Sequence, residues 1–218
     1  MCYLSTAAVV FASDFGTPPA YGPSVPRTVN SRREVKIVSI GTMRELFIHE
    51  LSDAMSAEQQ ILKMLPELRK EALNPELTQA LKEHEQETKQ QIKNLEDVFM
   101  QIGEKPEETT CFGVKGLADE HKALHEEDPS PEMLEMANVS GAEKTEHYEM
   151  VMYTGLVQMA KDLGERDAAQ LLQENLDQEK AMAKRVEALS KELSKQAKSQ
   201  EAERTKEPEL VGARSGRK

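Results

Sequence analysis

Apolar residues recur at helical spacing through the middle of this chain. From Thr42 to Ala72, one stripe repeats every three or four positions and contains Leu46, Phe47, Ala54, Ala57, Ile61, Leu65 and Leu68. The pair Asn74-Pro75 predicts a tight reversal, because asparagine caps helices and proline is well tolerated at the first helical position. A second helix extends to Ile102, where Gly103 supplies a stop signal. These two segments predict a helical hairpin.

A second hairpin follows after a long connection. Residues 103–131 form that connection and include VKGLADEHKALHEE, which has the pattern of a short amphipathic helix. Ser130-Pro131 opens a long helix that ends at Gly164, and a further helix runs from about Asp167 to Leu193. Two hairpins joined by one long crossover predict an all-α antiparallel four-helix bundle with the layout that ferritin-like bundles have. The same layout is available to any four-helix protein.

Both ends of the chain lack this periodicity. Residues 1–42 are rich in Pro, Gly, Ser and Arg, which predicts a disordered N-terminal extension or an over-extended start of translation, with Met43 as the alternative start. Their short apolar run follows no basic segment, so a secretion signal is not predicted. Residues 43–190 are predicted to form the ferritin-like domain, and residues 191–218 a charged flexible tail.

Amino-acid composition, net charge and cysteine content argue against several classes of protein. With 38% hydrophobic, 31% charged and 4% aromatic residues, the chain suits a helical bundle better than a β-sandwich. A net charge of -11 argues against nucleic-acid binding, because phosphate backbones attract basic surfaces. No apolar run reaches the roughly 18 to 20 residues that a membrane-spanning helix needs. Cys2 and Cys111 have no spacing partner, so a reducing, cytoplasmic location is expected.

Polar residues of metal-ligand type interrupt the apolar faces. On the second helix, His84 and Glu87 share the side of Leu77, Leu81, Gln91 and Leu95. The other three long helices also direct carboxylates inward, namely Glu58, Glu146, Glu149 and Glu179. Counted from the hairpin turns, Glu58, Glu87, Glu149 and Glu179 are predicted to meet in one layer, because antiparallel helices rise about 1.5 Å per residue.

A dry layer of carboxylates cannot stay charged without cations. Either repulsion between the carboxylates raises their pKa values, so that they take up protons, or a metal neutralises them. Oxygen-rich ligation with one or two imidazole nitrogens suits iron or manganese, and two metal ions fit this number of carboxylates. A single inward glutamate more often reaches water at a rim, whereas a matched set across four helices favours a metal site. Three readings stay open for His147, which can ligate a metal, hold a ligand or be exposed. His49, His121 and His125 are assigned to the surface.

Four strings of this sequence resemble the bacterial YciE/YciF family of stress-associated ferritin-like proteins: MRELFIHELSDAMSAEQQILKMLPEL, LKEHEQETKQQIKNLEDVF, KTEHYEMVMYTGL and LLQENLDQEKA. The resemblance extends from Met43 to Leu189. It implies a ferritin-like bundle, a homodimer, a di-iron centre and a ferroxidase or oxidative-stress role. The polar motif positions of the family are carried over to Glu58, His84, Glu87, Glu146, Glu149 and Glu179.

The chain departs from better-known ferritin-like enzymes, which repeat a Glu-x-x-His motif on the second and fourth helices. Here the second helix has the reverse order, His84-x-x-Glu87, and the fourth has Met182 three residues after Glu179. An asymmetric or weaker metal site is therefore expected.

Two functional hypotheses follow. The first is an iron-binding oxidoreductase, a ferroxidase or peroxide-consuming stress protein, in which two Fe(II) ions bridged by Glu87 and by Glu149 or Glu146 react with oxygen or peroxide. Tyr148 and Tyr153 flank this cluster and are assigned to packing, with electron relay as the alternative. The second is a non-catalytic dimerising helical bundle with a structural or vestigial metal site. Turnover separates them, because a structural site binds metal and stops.

Overall fold

Five helices and no strand make up the part of the chain that the computed structural model describes, residues 40–204. They are α1 (Met43–Glu71), α2 (Pro75–Ile102), α3 (Phe112–Glu126), α4 (Pro131–Leu163) and α5 (Arg166–Arg204). Helices α1, α2, α4 and α5 form a four-helix bundle, in which each packs against two of the others. The predicted all-α bundle of two hairpins and one long crossover is confirmed.

Local capping signals set most helix ends where the sequence predicts them. Thr42 Oγ1 accepts the N–H of Glu45 at 3.1 Å, and the Glu45 carboxylate accepts the N–H of Thr42 at 2.9 Å, which completes a capping box. Asn74 accepts two N–H groups at the start of α2. Gly103 and Gly164 end α2 and α4 with φ values of 72° and 80°, a left-handed conformation that glycine adopts without a Cβ penalty.

Polar contacts at both ends of the bundle fix the direction of the helices. At one end, Arg44 donates to the Ile102 carbonyl at 2.7 Å and to the Glu165 carboxylate at 3.1 Å, so the start of α1 meets the end of α2 and the α4–α5 turn. At the other end, the Glu135 carboxylate near the start of α4 accepts the N–H groups of Leu73, at 2.8 Å, and of the residue after it. Helix α4 therefore runs antiparallel to α1, and the crossover spans the length of the bundle.

The core consists of two apolar clusters. One includes Phe47, Leu51, Leu95, Leu156, Leu172 and Leu176. The other includes Ile61, Leu65, Leu77, Leu81, Met182 and Val186. Burying a leucine or phenylalanine side chain stabilises the folded state by about 1.5–3 kcal/mol. The two clusters therefore offset the free-energy cost of the polar groups buried between them. Along each long helix, the candidate ligands come between a residue of one cluster and a residue of the other.

The crossover helix α3 packs on α1 and α4. Its first turn is anchored by the buried residues Cys111 and Val114, and the N–H of Cys111 donates to Ser56 Oγ at 3.0 Å. The Cys111 thiol lies 3.1 Å from the Tyr148 hydroxyl, and Gly113 leaves the space that the Tyr148 ring occupies. Burial raises the pKa of Cys111, which keeps the thiol protonated.

Helix α5 differs from its prediction, because it continues past Leu193 to Arg204. Loss of apolar periodicity predicts the end at Leu193, but Lys, Glu, Gln and Ala are good helix formers, and no Pro or Gly occurs between Leu193 and Arg204. Pairs such as Gln196 and Glu192, at 3.0 Å, support the exposed turns. The predicted N-terminal extension lies almost wholly outside the described residues, as does the end of the tail. Within residues 40–204, no helix is both long and apolar enough to cross a membrane.

Candidate metal centre

The polar layer of the bundle consists of His84 and the carboxylates of Glu58, Glu87, Glu146, Glu149 and Glu179. His84 provides its imidazole nitrogens. Its ring lies between two carboxylates, with Nε2 3.4 Å from Glu146 Oε1 and Nδ1 3.7 Å from Glu87 Oε2. The residue is 4% exposed, and neither ring nitrogen forms a hydrogen bond with another residue of the described chain. Leu81 and Leu95 on the same helix draw this face inward, which is why the imidazole is buried.

Carboxylates from three further helices converge on the same layer. Glu58 from α1, Glu149 from α4 and Glu179 from α5 are fully buried, and Glu146 from α4 is 2% exposed. One donor atom from each of His84, Glu146, Glu149 and Glu179 lies within 4.8 Å of the others. Two ligand atoms on one ion with bonds of about 2.0–2.2 Å lie at most about 4.4 Å apart, so atoms within 4.8 Å of one another need only small side-chain movements to close on an ion.

Several oxygens of these carboxylates have no hydrogen-bond donor among the described residues. They are Glu58 Oε2, Glu146 Oε2, Glu149 Oε1, Glu149 Oε2 and Glu179 Oε2. An ionised carboxylate only accepts, and burying one without a donor or cation is costly. These oxygens therefore require protons shared between neighbouring carboxyl groups or bound cations. With one imidazole beside them, they form a donor set that fits iron or manganese.

Burial dominates the electrostatics of the layer. It raises the pKa of Glu58, Glu146 and Glu149 well above the ordinary value, and repulsion from the Glu179 carboxylate raises each pKa further. Burial also raises the pKa of Glu179, but His84 and a hydrogen bond from Gln91 oppose the shift. Neighbouring groups of the layer therefore favour the charged form of Glu179 while burial disfavours it.

Neutral side chains orient two of these carboxylates. The Tyr153 hydroxyl donates to Glu58 Oε1, and the Gln91 amide donates to Glu179 Oε1. Asn175 donates in turn to the Tyr153 hydroxyl at 3.0 Å. Such outer partners fix the rotamers of ligating groups and tune metal affinity.

Sequence reasoning assigned no role to this supporting network. The sequence pattern predicts Gln91 on the inward face but gives it no function, and it predicts nothing for Asn94 and Asn175, which pair at 2.7 Å. A signal for them exists, because Asn175 comes one turn before Glu179 and Asn94 comes one turn after Gln91. A polar residue at such a position on a buried face predicts a partner in the same layer.

The structure separates the predicted site residues into a centre and a rim. His84, Glu146, Glu149 and Glu179 form the centre, and Glu58 borders it through its interactions with Glu149 and Glu179. The Glu87 side chain is 36% exposed and reaches His84 from the rim with one buried oxygen. His147 lies outside the group, because it is exposed and its Nδ1 lies 2.8 Å from the Glu143 carbonyl of its own helix. Metal ligation by these residues stays a prediction.

An apolar cavity of about 30 Å³ borders the layer on one side. His84 and Glu146 line it together with apolar side chains that include Ile61, Leu65, Leu77, Leu81, Met182 and Val186. Met182, in the position where a histidine was expected from related enzymes, is a wall of this cavity. A space of this size admits one water-sized molecule.

Comparison with known proteins places the chain in a family. Residues 42–199 match the family model of a domain of unknown function, DUF892. The chain is 36% identical to the protein YciF of Escherichia coli K12 over 145 residues, which are 66% of this chain and 87% of YciF.

Solved structures agree with this placement. The crystal structure of the E. coli stress protein YciF aligns with a TM-score of 0.69 and 34% identity, covering 72% of this chain and 99% of YciF. YcfI of Rhodopseudomonas palustris aligns with a TM-score of 0.67 and 37% identity, covering 69% of this chain and 96% of YcfI. A protein of Xanthomonas campestris pv. campestris shares the fold. It aligns with a TM-score of 0.60 and 20% identity, covering 74% of this chain and 99% of the Xanthomonas chain. The chain belongs to the DUF892 family and is a relative of YciF, as the strings in its four long helices indicate.

Proposed function

We propose that this protein binds two iron ions in the polar layer and oxidises Fe(II) with oxygen or peroxide as part of a stress response. Manganese is the alternative metal. The observation that carries the proposal is the buried group His84, Glu146, Glu149 and Glu179, in which carboxylate oxygens lack donors among the described residues. Such a group is costly to bury unless cations or protons neutralise it.

The proposed ligands divide into two overlapping sets. His84, Glu146, Glu149 and Glu179 would hold one ion, and Glu58 with Glu149 and Glu179 would hold the other. Glu149 and Glu179 would belong to both sets, because each interacts with Glu58 as well as with the His84 group. Glu87 would complete the first set from the rim. Bound iron would supply the one-electron redox chemistry that these side chains lack.

The side chains themselves bind, orient and exchange protons. Because the carboxyl pKa values are raised, the layer binds cations only as it gives up protons. Gln91 and Tyr153 hold Glu179 and Glu58 in place as those protons leave. The apolar cavity beside His84 favours a small neutral oxidant, because a charged one would lose its hydration there.

Two relatives bear on the biological role of this protein. The E. coli relative is described as a stress protein, which supports a stress-linked role here. A structural role has been suggested for YcfI, which corresponds to the alternative of a non-catalytic helical bundle with a structural or vestigial metal site. A homodimer, a cytoplasmic location and the lack of a nucleic-acid partner stay predictions, and native mass spectrometry of the purified chain tests the first.

Anaerobic titration of the full-length protein with Fe(II), followed by oxygen or peroxide, tests the proposal. We expect about two irons per chain and repeated oxidation of added Fe(II). The double variant Glu149→Gln/Glu179→Gln is expected to lose both properties. Glu174→Gln is the matched control, because Glu174 is an exposed carboxylate on the same helix as Glu179.

Two results would count against the proposal. Undiminished iron binding by the double variant would show that the polar layer is not the site. Iron binding without further oxidation would favour the structural alternative.

A further inference from the structure

A second group of metal-ligand type lies where the end of α1 meets α3. It consists of Glu71, the last residue of α1, and of His121 and His125, which lie one turn apart on α3. His125 Nε2 is 2.9 Å from Glu71 Oε1, and His121 Nε2 is 3.5 Å from Glu71 Oε2. The two imidazole rings meet edge to face, with their centroids 4.9 Å apart. One donor atom from each of the three residues lies within 4.8 Å of the others.

The carboxylate at the centre of this group is held in place from a third helix. The Asn138 amide on α4 donates to Glu71 Oε2 at 2.9 Å. Glu71 also stands at the C-terminal end of α1, where the helix dipole disfavours negative charge. A cation bound beside Glu71 would neutralise the carboxylate and would interact favourably with the negative end of the α1 dipole. Glu71 and His121 are partly buried, with side-chain exposures of 22% and 24%.

Hydrogen bonding alone accounts for only part of this arrangement. His125 and Glu71 are close enough for a hydrogen bond. The distance from His121 to Glu71 is at the limit at which a hydrogen bond contributes. Ligand atoms around a tetrahedral ion with bonds of about 2.0–2.1 Å are separated by roughly 3.3–3.4 Å. The separations of 2.9 Å and 3.5 Å, which run to the two different oxygens of the Glu71 carboxylate, lie on either side of that value.

We propose that Glu71, His121 and His125 form a second metal site, separate from the polar layer, that takes a divalent ion of the zinc type. Two imidazoles four residues apart on one helix, with a carboxylate from elsewhere, are a zinc donor set that leaves a fourth position for water. Lys122 follows the first histidine, where zinc peptidases of the HExxH type have a glutamate base, so the pattern lacks that catalytic group. Asn138 is the positioning residue for Glu71.

The site would fasten α3 to the bundle. The first turn of α3 is anchored by Cys111 and Val114, whereas within the described chain its second half has no buried residue. A metal ion held by Glu71 together with His121 and His125 would join this second half to the end of α1. The crossover between the two hairpins would then be secured at both ends of its helix.

Zinc titration of the full chain tests the proposal, with the polar layer disabled by Glu149→Gln/Glu179→Gln. In that background we expect about one equivalent of Zn²⁺ to bind. Adding His121→Ala/His125→Ala should abolish this binding. His49→Ala is the matched control, because His49 also faces one carboxylate, Glu107 at 3.7 Å, and should leave the titration unchanged. No zinc binding in the background variant, or equal binding after loss of both histidines, would overturn the proposal.

A measurement on the unsubstituted protein covers the case in which the background variant fails to fold. Side-chain ¹⁵N spectra report each histidine separately. On addition of Zn²⁺, the Nε2 resonances of His121 and His125 should move together to positions typical of metal-bound imidazole, and those of His49 should not. Unmoved His121 and His125 resonances would overturn the site, whereas the His84 resonance reports on the polar layer alone. Failure of this site and failure of the proposed iron centre are therefore distinguishable.

Discussion

The hydroxyl of Tyr153 donates a hydrogen bond to Oε1 of Glu58, so a residue of α4 orients a carboxylate of α1 inside the bundle. Both side chains are fully buried. Asn175 on α5 donates to the same hydroxyl at 3.0 Å, which fixes the direction of the Tyr153 O–H. Three helices thus determine the position of one candidate ligand, and the contact links the stability of the bundle to the proposed metal site.

Replacing Tyr153 with phenylalanine tests this link. The ring stays packed, but Glu58 loses its donor and Asn175 loses an acceptor, so the metal-free protein should lose about 1–2 kcal/mol of unfolding free energy. Metal affinity should fall by roughly 10–100-fold, as is common when an outer partner of a ligand is removed. Urea denaturation in the presence of a chelator and Mn²⁺ titration measure the two effects.

Tyr148→Phe is the control for this prediction. Tyr148 is on the same helix, but its hydroxyl contacts the Cys111 thiol rather than a carboxylate of the polar layer. This variant should therefore leave metal affinity unchanged. An equal loss of affinity in both variants would mean that general packing of α4, and not the hydrogen bond to Glu58, sets the metal affinity.

The polar layer should cost the metal-free protein stability. Glu179→Gln removes the charge that repels Glu58 and Glu146, and Glu149→Gln removes a buried carboxyl group whose ionisation is opposed by burial and by its carboxylate neighbours. Both substitutions supply amide donors to the remaining carboxylates. We expect the metal-free variant to be more stable than the wild type by about 1 kcal/mol or more at neutral pH. Thermal unfolding in a chelator measures this difference. A destabilised variant would indicate that shared protons already satisfy the layer.

The raised carboxyl pKa values set a direction for pH dependence. Glu58, Glu146 and Glu149 hold their protons more tightly in the folded state than at the ordinary pKa of 4.5 in the unfolded chain. Their contribution to metal-free stability is therefore fully present below about pH 4.5 and is lost as the pH rises through the folded-state pKa values. Melting temperatures in a chelator should fall between pH 5.5 and pH 8.5.

Two comparisons isolate the source of this pH dependence. The Glu149→Gln/Glu179→Gln variant should show a smaller fall in melting temperature over the same interval. Metal-loaded protein should show the opposite trend, because metal ions compete with protons for the same oxygens. A metal-free wild type whose melting temperature rises across the interval would contradict the assignment.

Gly113 in α3 is required for close packing against α4. A Cβ at this position would lie within 2.6 Å of Cζ and Oη of Tyr148. Gly113→Ala should therefore destabilise the protein by about 1–3 kcal/mol, because the Tyr148 ring must move. Gly116→Ala is the control, since nothing lies within 4 Å of its Cβ position, and it should stabilise the helix by about 0.5–1 kcal/mol. Urea denaturation of both variants measures the difference, and equal effects would contradict the close approach.

The elements of the fold could be predicted from the sequence because their causes are local. Thr42, Asn74, Gly103 and Gly164 act within one turn of the helix end that they set. The inward phase of His84, Glu149 and Glu179 follows from the helical period, and the equal lengths of the hairpin arms place them in one layer. The end of α5 was predicted wrongly because loss of apolar residues does not itself end a helix.

Only the tertiary structure decided which polar groups touch. Spacing predicted Glu87 in the same layer as Glu149, yet Glu87 lies at the rim because its direction depends on how α2 is rotated against its neighbours. His121 and His125 share no sequence signal with Glu71, and they meet it because α3 lies across the end of α1. Contacts between helices depend on the rotation and tilt of whole elements, which many side chains set together. The spacing of residues along one helix does not determine how that helix is rotated against its neighbours.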